Sequence, residues 1–75
     1  MNDIDKKYPL PDTVKNKMAG EIRECMAAKG ITRQKALQLA GYDTTPYNMS
    51  LMTKARAGDT SDKFMREILK AITEK

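Results

Sequence analysis

The chain has 75 residues, with 14 lysines and arginines against 10 acidic residues, no histidine and one cysteine. This length predicts a single domain with a small core. Without histidine the chain lacks the commonest general base and metal ligand, so we expect neither an enzyme nor a cofactor or metal site. One cysteine cannot form an internal disulfide, and no apolar run could cross a membrane or serve as a signal peptide, which favours a cytoplasmic protein.

The net charge of +4 is concentrated in the middle of the chain. Acidic and basic residues balance in residues 1–28 and again in residues 57–75. Residues 29–56 carry one acidic residue, Asp43, against the basic residues Lys29, Arg33, Lys35, Lys54 and Arg56. A localised basic segment is typical of a surface that binds a polyanion, although a solvated face can carry the same charges.

Residues 1–11 are expected to form an N-terminal arm, because Pro9 and Pro11 disfavour helix in the residues before them. Residues 12–75 then form the folded domain. Its first helix, capped by Asp12 or Thr13, has one apolar face and ends before Gly30. That face carries Val14, Met18, Ile22, Cys25 and Met26.

Three shorter helices follow. The second is capped by Thr32, buries one side through Leu37 and its neighbours, and ends at Gly41. The third begins near Thr45, with Pro46 at its first position, and ends at Gly58. The fourth is capped by Thr60 or Ser61 and carries the apolar stripe Phe64, Met65, Ile68, Leu69 and Ile72. An extra short turn around residues 58–61 would make five helices.

The predicted fold is therefore all-α, with four to five short helices. Its core is predicted to contain Val14, Met18, Ile22, Leu37, Met52, Ile68, Leu69 and Ile72. The methionines are expected to fill the core, and Cys25 to be a buried small apolar residue with no histidine to activate it.

Two short helices joined by a turn with glycine, after a longer first helix, are the sequence pattern of a helix-turn-helix. Gly30-Ile31-Thr32, Ala36-Leu37, Ala40-Gly41-Tyr42 and the closing segment 58–72 resemble the Cro and phage-repressor (XRE-like) helix-turn-helix family over residues 20–72. Arg33 stands where that family usually has glutamine, and residues 41–58 exceed the usual length by more than a turn. The resemblance implies a lambda-repressor-like DNA-binding domain.

The third helix would read the major groove if Met49, Met52 and Ala55 face the core. The candidate DNA-binding residues then lie on the outer face and at the N-terminal end of this third helix. Others lie at the start of the second helix, and nearby cations complete the set. These are Arg33, Gln34, Thr44, Thr45, Tyr47, Asn48, Ser50, Lys54 and Arg56, with Lys29 and Lys35 as further phosphate contacts. The alternative for Tyr47 is that its ring packs on the domain.

The resemblance implies a DNA-binding transcriptional regulator of phage, prophage or plasmid type, such as a repressor. We expect a homodimer on double-stranded DNA, with no membrane and no small-molecule substrate as partner. One alternative is a DNA-packaging protein, because the Ala40-Gly41-Tyr42 corner and the methionine-rich helix after it also resemble the DNA-binding segment of phage terminase small subunits. Another is a small protein-interaction or inhibitor module.

Overall fold

The computed structural model describes residues 12–74, and within them the chain is all-α. Four helices follow one another: α1 (Asp12–Lys29), α2 (Arg33–Leu39), α3 (Pro46–Ala57) and α4 (Asp62–Thr73). The predicted helices are thus confirmed, and residues 58–61 form a turn rather than a fifth helix. The predicted arm, residues 1–11, lies outside the described residues.

Hydroxyl side chains cap α2, α3 and α4, as predicted for α2 and α4. Thr32, Thr45 and Ser61 each accept a hydrogen bond from the backbone N–H three residues further on, at 3.1, 3.1 and 3.3 Å. Ser61, and not Thr60, is therefore the cap of α4. Each bond satisfies a backbone donor that the first turn of a helix leaves unpaired, which is why α2, α3 and α4 begin where they do.

The start of α1 differs from the prediction. The helix already includes Asp12 and Thr13, so neither residue stands before it as a cap. Proline restricts the residue that precedes it, so Pro11 does not prevent Asp12 from being helical. Capping signals therefore located this helix but misplaced its first residue.

One apolar core joins the four helices. Helices α1 and α2 each pack against both α3 and α4. The buried residues are Met18, Ala19, Ile22 and Met26 of α1, Ala36 and Leu37 of α2, Met52 and Ala55 of α3, and Phe64, Met65, Ile68 and Ile72 of α4. This agrees with most of the predicted core. None of the four helices in the described part of the chain has the length and hydropathy that a membrane span requires.

Four residues that the sequence places in the core lie at the edge of the core or outside it. Val14 is 38% exposed, because burial along α1 begins only at Met18. Apolar spacing identifies which face of a helix is inward, but not how far along the helix the core extends. Leu69, Met49 and Cys25 are half-buried against the core, and the Cys25 thiol donates a long hydrogen bond of 3.6 Å to the Ile72 carbonyl oxygen.

Candidate nucleic-acid interface

Helix α3 has the inward and outward faces that its sequence predicts. Met52 and Ala55 are buried and Met49 is half-buried. The opposite face is open to solvent and carries Tyr47, Ser50 and Lys54, while Asn48 and Leu51 lie half-buried on the flank. Tyr47 is 72% exposed, so its ring does not pack on the domain.

The segment that leads into α3 is held at two points. Tyr42 donates a hydrogen bond from its hydroxyl to Glu67 Oε1 of α4, and its ring meets Phe64 edge to face with centroids 5.2 Å apart. The hydrogen bond to Glu67 raises the pKa of Tyr42, and burial and the carboxylate charge act in the same direction. The position of the α2–α3 connection is therefore set by contacts with α4.

The second point of attachment involves a predicted DNA-binding residue. Asn48 donates from Nδ2 to the carbonyl oxygen of Asp43 at 2.8 Å, and its backbone N–H is bound by the Thr45 hydroxyl. Asn48 therefore fastens the N-terminal end of α3 to the connection before it. Thr44 and Thr45 are exposed beside it. The sequence made Asn48 a candidate DNA-binding residue and did not predict this supporting contact.

The start of α2 reaches the C-terminal half of α3. Arg33 donates from Nη1 to Thr53 Oγ1 at 2.7 Å, and the Thr53 hydroxyl also bonds to the Met49 carbonyl oxygen at 3.3 Å. Gln34 is exposed next to Arg33. Thr53 was not a sequence candidate, although its place three residues after Ser50 puts it beside the outer face of α3.

A basic side chain absent from the sequence candidates is Arg23 of α1. Its Nη1 donates to the backbone carbonyl oxygen of Arg56, near the end of α3. Arg23, Arg33 and Arg56 line one open cleft of about 360 Å³ together with Gly30, Ile31 and Thr32 of the α1–α2 turn. Sequence reasoning passed over Arg23 because residues 1–28 are neutral as a whole.

The cations of this surface keep their charge exposed to solvent. Within the described part of the chain, the ion pair that forms is Arg66 with Asp62 on α4, at 3.7 Å. Lys54, Arg33 and Arg56 are each exposed, without a carboxylate partner among the described side chains. The predicted basic segment therefore becomes a positively charged surface along α3 and the start of α2.

Lys29 has a different position from its neighbours in sequence. Its Nζ donates to the carbonyl oxygens of Ile72 and Thr73, at 2.8 and 3.1 Å. These carbonyls end α4, where the helix dipole is negative and favours a cation. Lys29 thus joins the end of α1 to the end of α4, whereas Lys35 is exposed on α2.

Comparisons of the chain with protein-family models, with curated proteins and with solved structures find no match. Among the described residues, no three cysteine, aspartate or glutamate side chains are grouped so that they could hold a metal ion. The site is therefore defined by its exposed polar and basic side chains.

Proposed function

We propose that this protein binds double-stranded DNA at specific sequences, as a small helix-turn-helix regulator of phage, prophage or plasmid type. The helix pair is α2 and α3, and α3 would enter the major groove. The observation that carries the proposal is the Arg33–Thr53 hydrogen bond. It places a cation from the start of α2 against the helix whose outer face presents Tyr47, Ser50 and Lys54.

The side chains on this surface suit the two kinds of contact that DNA offers. Lysine can donate to the guanine O6 and N7 atoms, and serine or tyrosine to base edges or phosphates, so Lys54, Ser50 and Tyr47 are the proposed base readers. Arg33 and Arg56 are proposed to contact phosphates on the flanks, which orient the protein on the duplex without reading bases. Thr44, Thr45 and Gln34 are exposed polar residues at the two helix ends and complete the interface.

The charge distribution supports the same partner. Duplex DNA carries one negative charge for about every 1.7 Å of its axis, and cations that contact its phosphates release bound counterions. Residues 29–56 carry the net charge of +4. Four of their basic side chains, Arg33, Lys35, Lys54 and Arg56, are exposed to solvent, and within residues 12–74 none of the four donates to a backbone carbonyl beyond its own helix. We therefore expect binding that weakens steeply with salt.

We also propose that two protomers bind one DNA site. A single α3 reads few base pairs, and helix-turn-helix proteins commonly bind half-sites one helical turn apart, about 34–36 Å. Footprinting on a selected sequence should protect two such half-sites. A single short site that one protomer saturates would contradict the dimer. One long unpaired site would instead favour the DNA-packaging alternative.

The test of sequence-specific binding compares two exposed lysines. Selection from random duplexes first supplies a preferred site, and binding is then titrated on that site and on a scrambled duplex at several salt concentrations. Lys54→Ala should weaken binding to the preferred site by about 1–3 kcal/mol and relax the preference at one base pair. Lys70→Ala, on exposed α4 surface in the neutral C-terminal segment, should have little effect beyond a screened long-range term.

Two outcomes would overturn the proposal. Equal losses for both variants on both duplexes would mean that the protein attracts DNA only as a general polycation. No binding to any duplex at low salt would exclude DNA as the partner, and the protein-interaction module would then become the better interpretation.

A further inference from the structure

The cleft between α1, the α1–α2 turn and the end of α3 brings together three arginines that are far apart in sequence. Arg23 comes from the middle of α1, Arg33 from the start of α2 and Arg56 from the last turn of α3. No acidic residue lines the cleft in the described part of the chain. Three like charges around one concave surface repel one another, so this arrangement favours an anion between them.

The hydrogen bonds of these arginines leave their charge uncompensated. Arg23 donates to a backbone carbonyl and Arg33 to a threonine hydroxyl, and both acceptors are neutral. A guanidinium has five N–H donors, so each side chain is held in place while donors remain for a ligand. Gly30 also lines the cleft, and a β-carbon added there would meet no atom within 4 Å.

We infer that this cleft binds a phosphate group, and that the phosphate belongs to the backbone of bound DNA. The planar guanidinium of arginine can donate to two oxygens of one phosphate at the same time. The compact ammonium group of lysine lacks this two-pronged geometry. The assignment to the DNA backbone rests on the proposed function, because Arg33 also contacts Thr53 beside the outer face of α3. Arg23 of α1 thereby becomes a DNA-contacting residue, although it lies outside the helix pair.

The first experiment measures DNA binding of Arg23→Gln as a function of salt, on a selected and on a scrambled duplex. Affinity should fall roughly three- to tenfold on both duplexes alike, and the slope of log K against log salt should decrease by about one unit. Lys17→Gln is the matched control, because Lys17 is an exposed cation of the same helix with no side-chain hydrogen bond among the described residues.

A second variant distinguishes the loss of a positive charge in the cleft from a loss of folding stability. The bond from Arg23 ends on the backbone carbonyl of Arg56, so Arg56→Gln removes a cation from the cleft and leaves that bond in place. Arg56→Gln should reproduce the reduced slope without a lower melting temperature. If Arg23→Gln and Arg56→Gln both match Lys17→Gln in affinity and slope, the cleft does not bind the DNA backbone.

The second experiment uses no DNA. Thermal unfolding is followed in sodium phosphate and in sodium chloride of equal ionic strength. The phosphate should raise the melting temperature of the unaltered chain and of Lys17→Gln, and should raise those of Arg23→Gln and Arg56→Gln less. Equal increases in all four proteins would overturn the phosphate site.

The two experiments distinguish failure of the inference from failure of the proposed function. If no duplex binds but phosphate stabilisation depends on the two arginines, the DNA proposal fails and the ligand is a free phosphate. If Lys54→Ala impairs sequence-specific binding while both arginine variants behave as the control in both experiments, the proposed function stands and the cleft assignment is wrong.

Discussion

Gly58 lies so close to Asn16 that a β-carbon on the glycine would be 2.9 Å from Asn16 Oδ1. It would also lie 3.4 Å from the Lys15 carbonyl oxygen. The φ angle of Gly58 is 76°, in the left-handed region that side chains disfavour. The turn between α3 and α4 therefore lies against the N-terminal half of α1, and its glycine is needed for its backbone conformation, whereas the exposed Asn16 side chain has room to move away from an added β-carbon.

Gly58→Ala should lower the free energy of unfolding by about as much as Gly41→Ala does. Gly41 has a φ of 83°, and an added β-carbon there would meet nothing within 4 Å, so its substitution measures the backbone cost alone, about 1–2 kcal/mol. Gly58→Ala has the same backbone cost, and rotation of the exposed Asn16 side chain relieves its close contact. Denaturant unfolding of both variants checks this equality. In an Asn16→Ala background the cost of Gly58→Ala should be unchanged, and a clearly smaller cost there would show that Asn16 does not move away.

Lys29→Met should destabilise the fold by about 0.5–1.5 kcal/mol. The change keeps an apolar chain of similar length and removes the two hydrogen bonds to the end of α4, at the Ile72 and Thr73 carbonyl oxygens. Lys17→Met is the control, since Lys17 is exposed on α1 with no such bond among the described residues. Equal unfolding free energies for the two variants would show that Lys29 does not hold α4.

Tyr42→Phe should cost about 1–2 kcal/mol near neutral pH, because it removes the hydrogen bond to Glu67 and keeps the ring against Phe64. Tyr47→Phe should change stability by less than about 0.5 kcal/mol, since the Tyr47 side chain is exposed. Denaturant unfolding of the two variants checks this comparison.

The stabilisation by Tyr42 should also depend on pH. Its pKa in the folded state is raised above the ordinary value of 10.0, so the folded chain holds the phenol proton more tightly than the unfolded chain. Its contribution is therefore complete below pH 10 and is lost as the pH rises through the folded-state pKa. Unfolding free energies of the unaltered chain and Tyr42→Phe should differ by a constant up to about pH 9 and converge above pH 10. A difference that grows above pH 10 would contradict this sign.

Ile68→Ala should cost roughly 2–5 kcal/mol, a large part of the stability of so small a domain. Ile68 is fully buried on α4, which packs against α1 and α2, and its truncation leaves a cavity in that part of the core. Val14→Ala should cost less than about 1 kcal/mol because Val14 is 38% exposed. Thermal unfolding of the pair checks both values, and similar melting temperatures would mean that the described core is wrong.

Much of the fold was predictable because its signals are local. The hydroxyl of Thr45 bonds to a backbone N–H three residues away, and Gly58 ends a helix through its own φ angle, so neither depends on distant parts of the chain. The two faces of α3 follow from a period of 3.6 residues, which placed Lys54 outside and Met52 inside. The sequence by itself therefore determined the four helices, most of their boundaries and the exposed side of the candidate site.

The tertiary structure alone decided which distant side chains meet. Arg23 and Arg56 are 33 residues apart, and Lys29 reaches Ile72 across 43 residues. Periodicity and capping act over one or two helical turns and do not specify how far one helix slides along another. That offset is set by packing of the whole core, and it also left Val14 exposed. It placed Arg23 in the cleft and turned Lys29 away from it, because the docking of α1 on α3 and α4 fixes where each long side chain can reach.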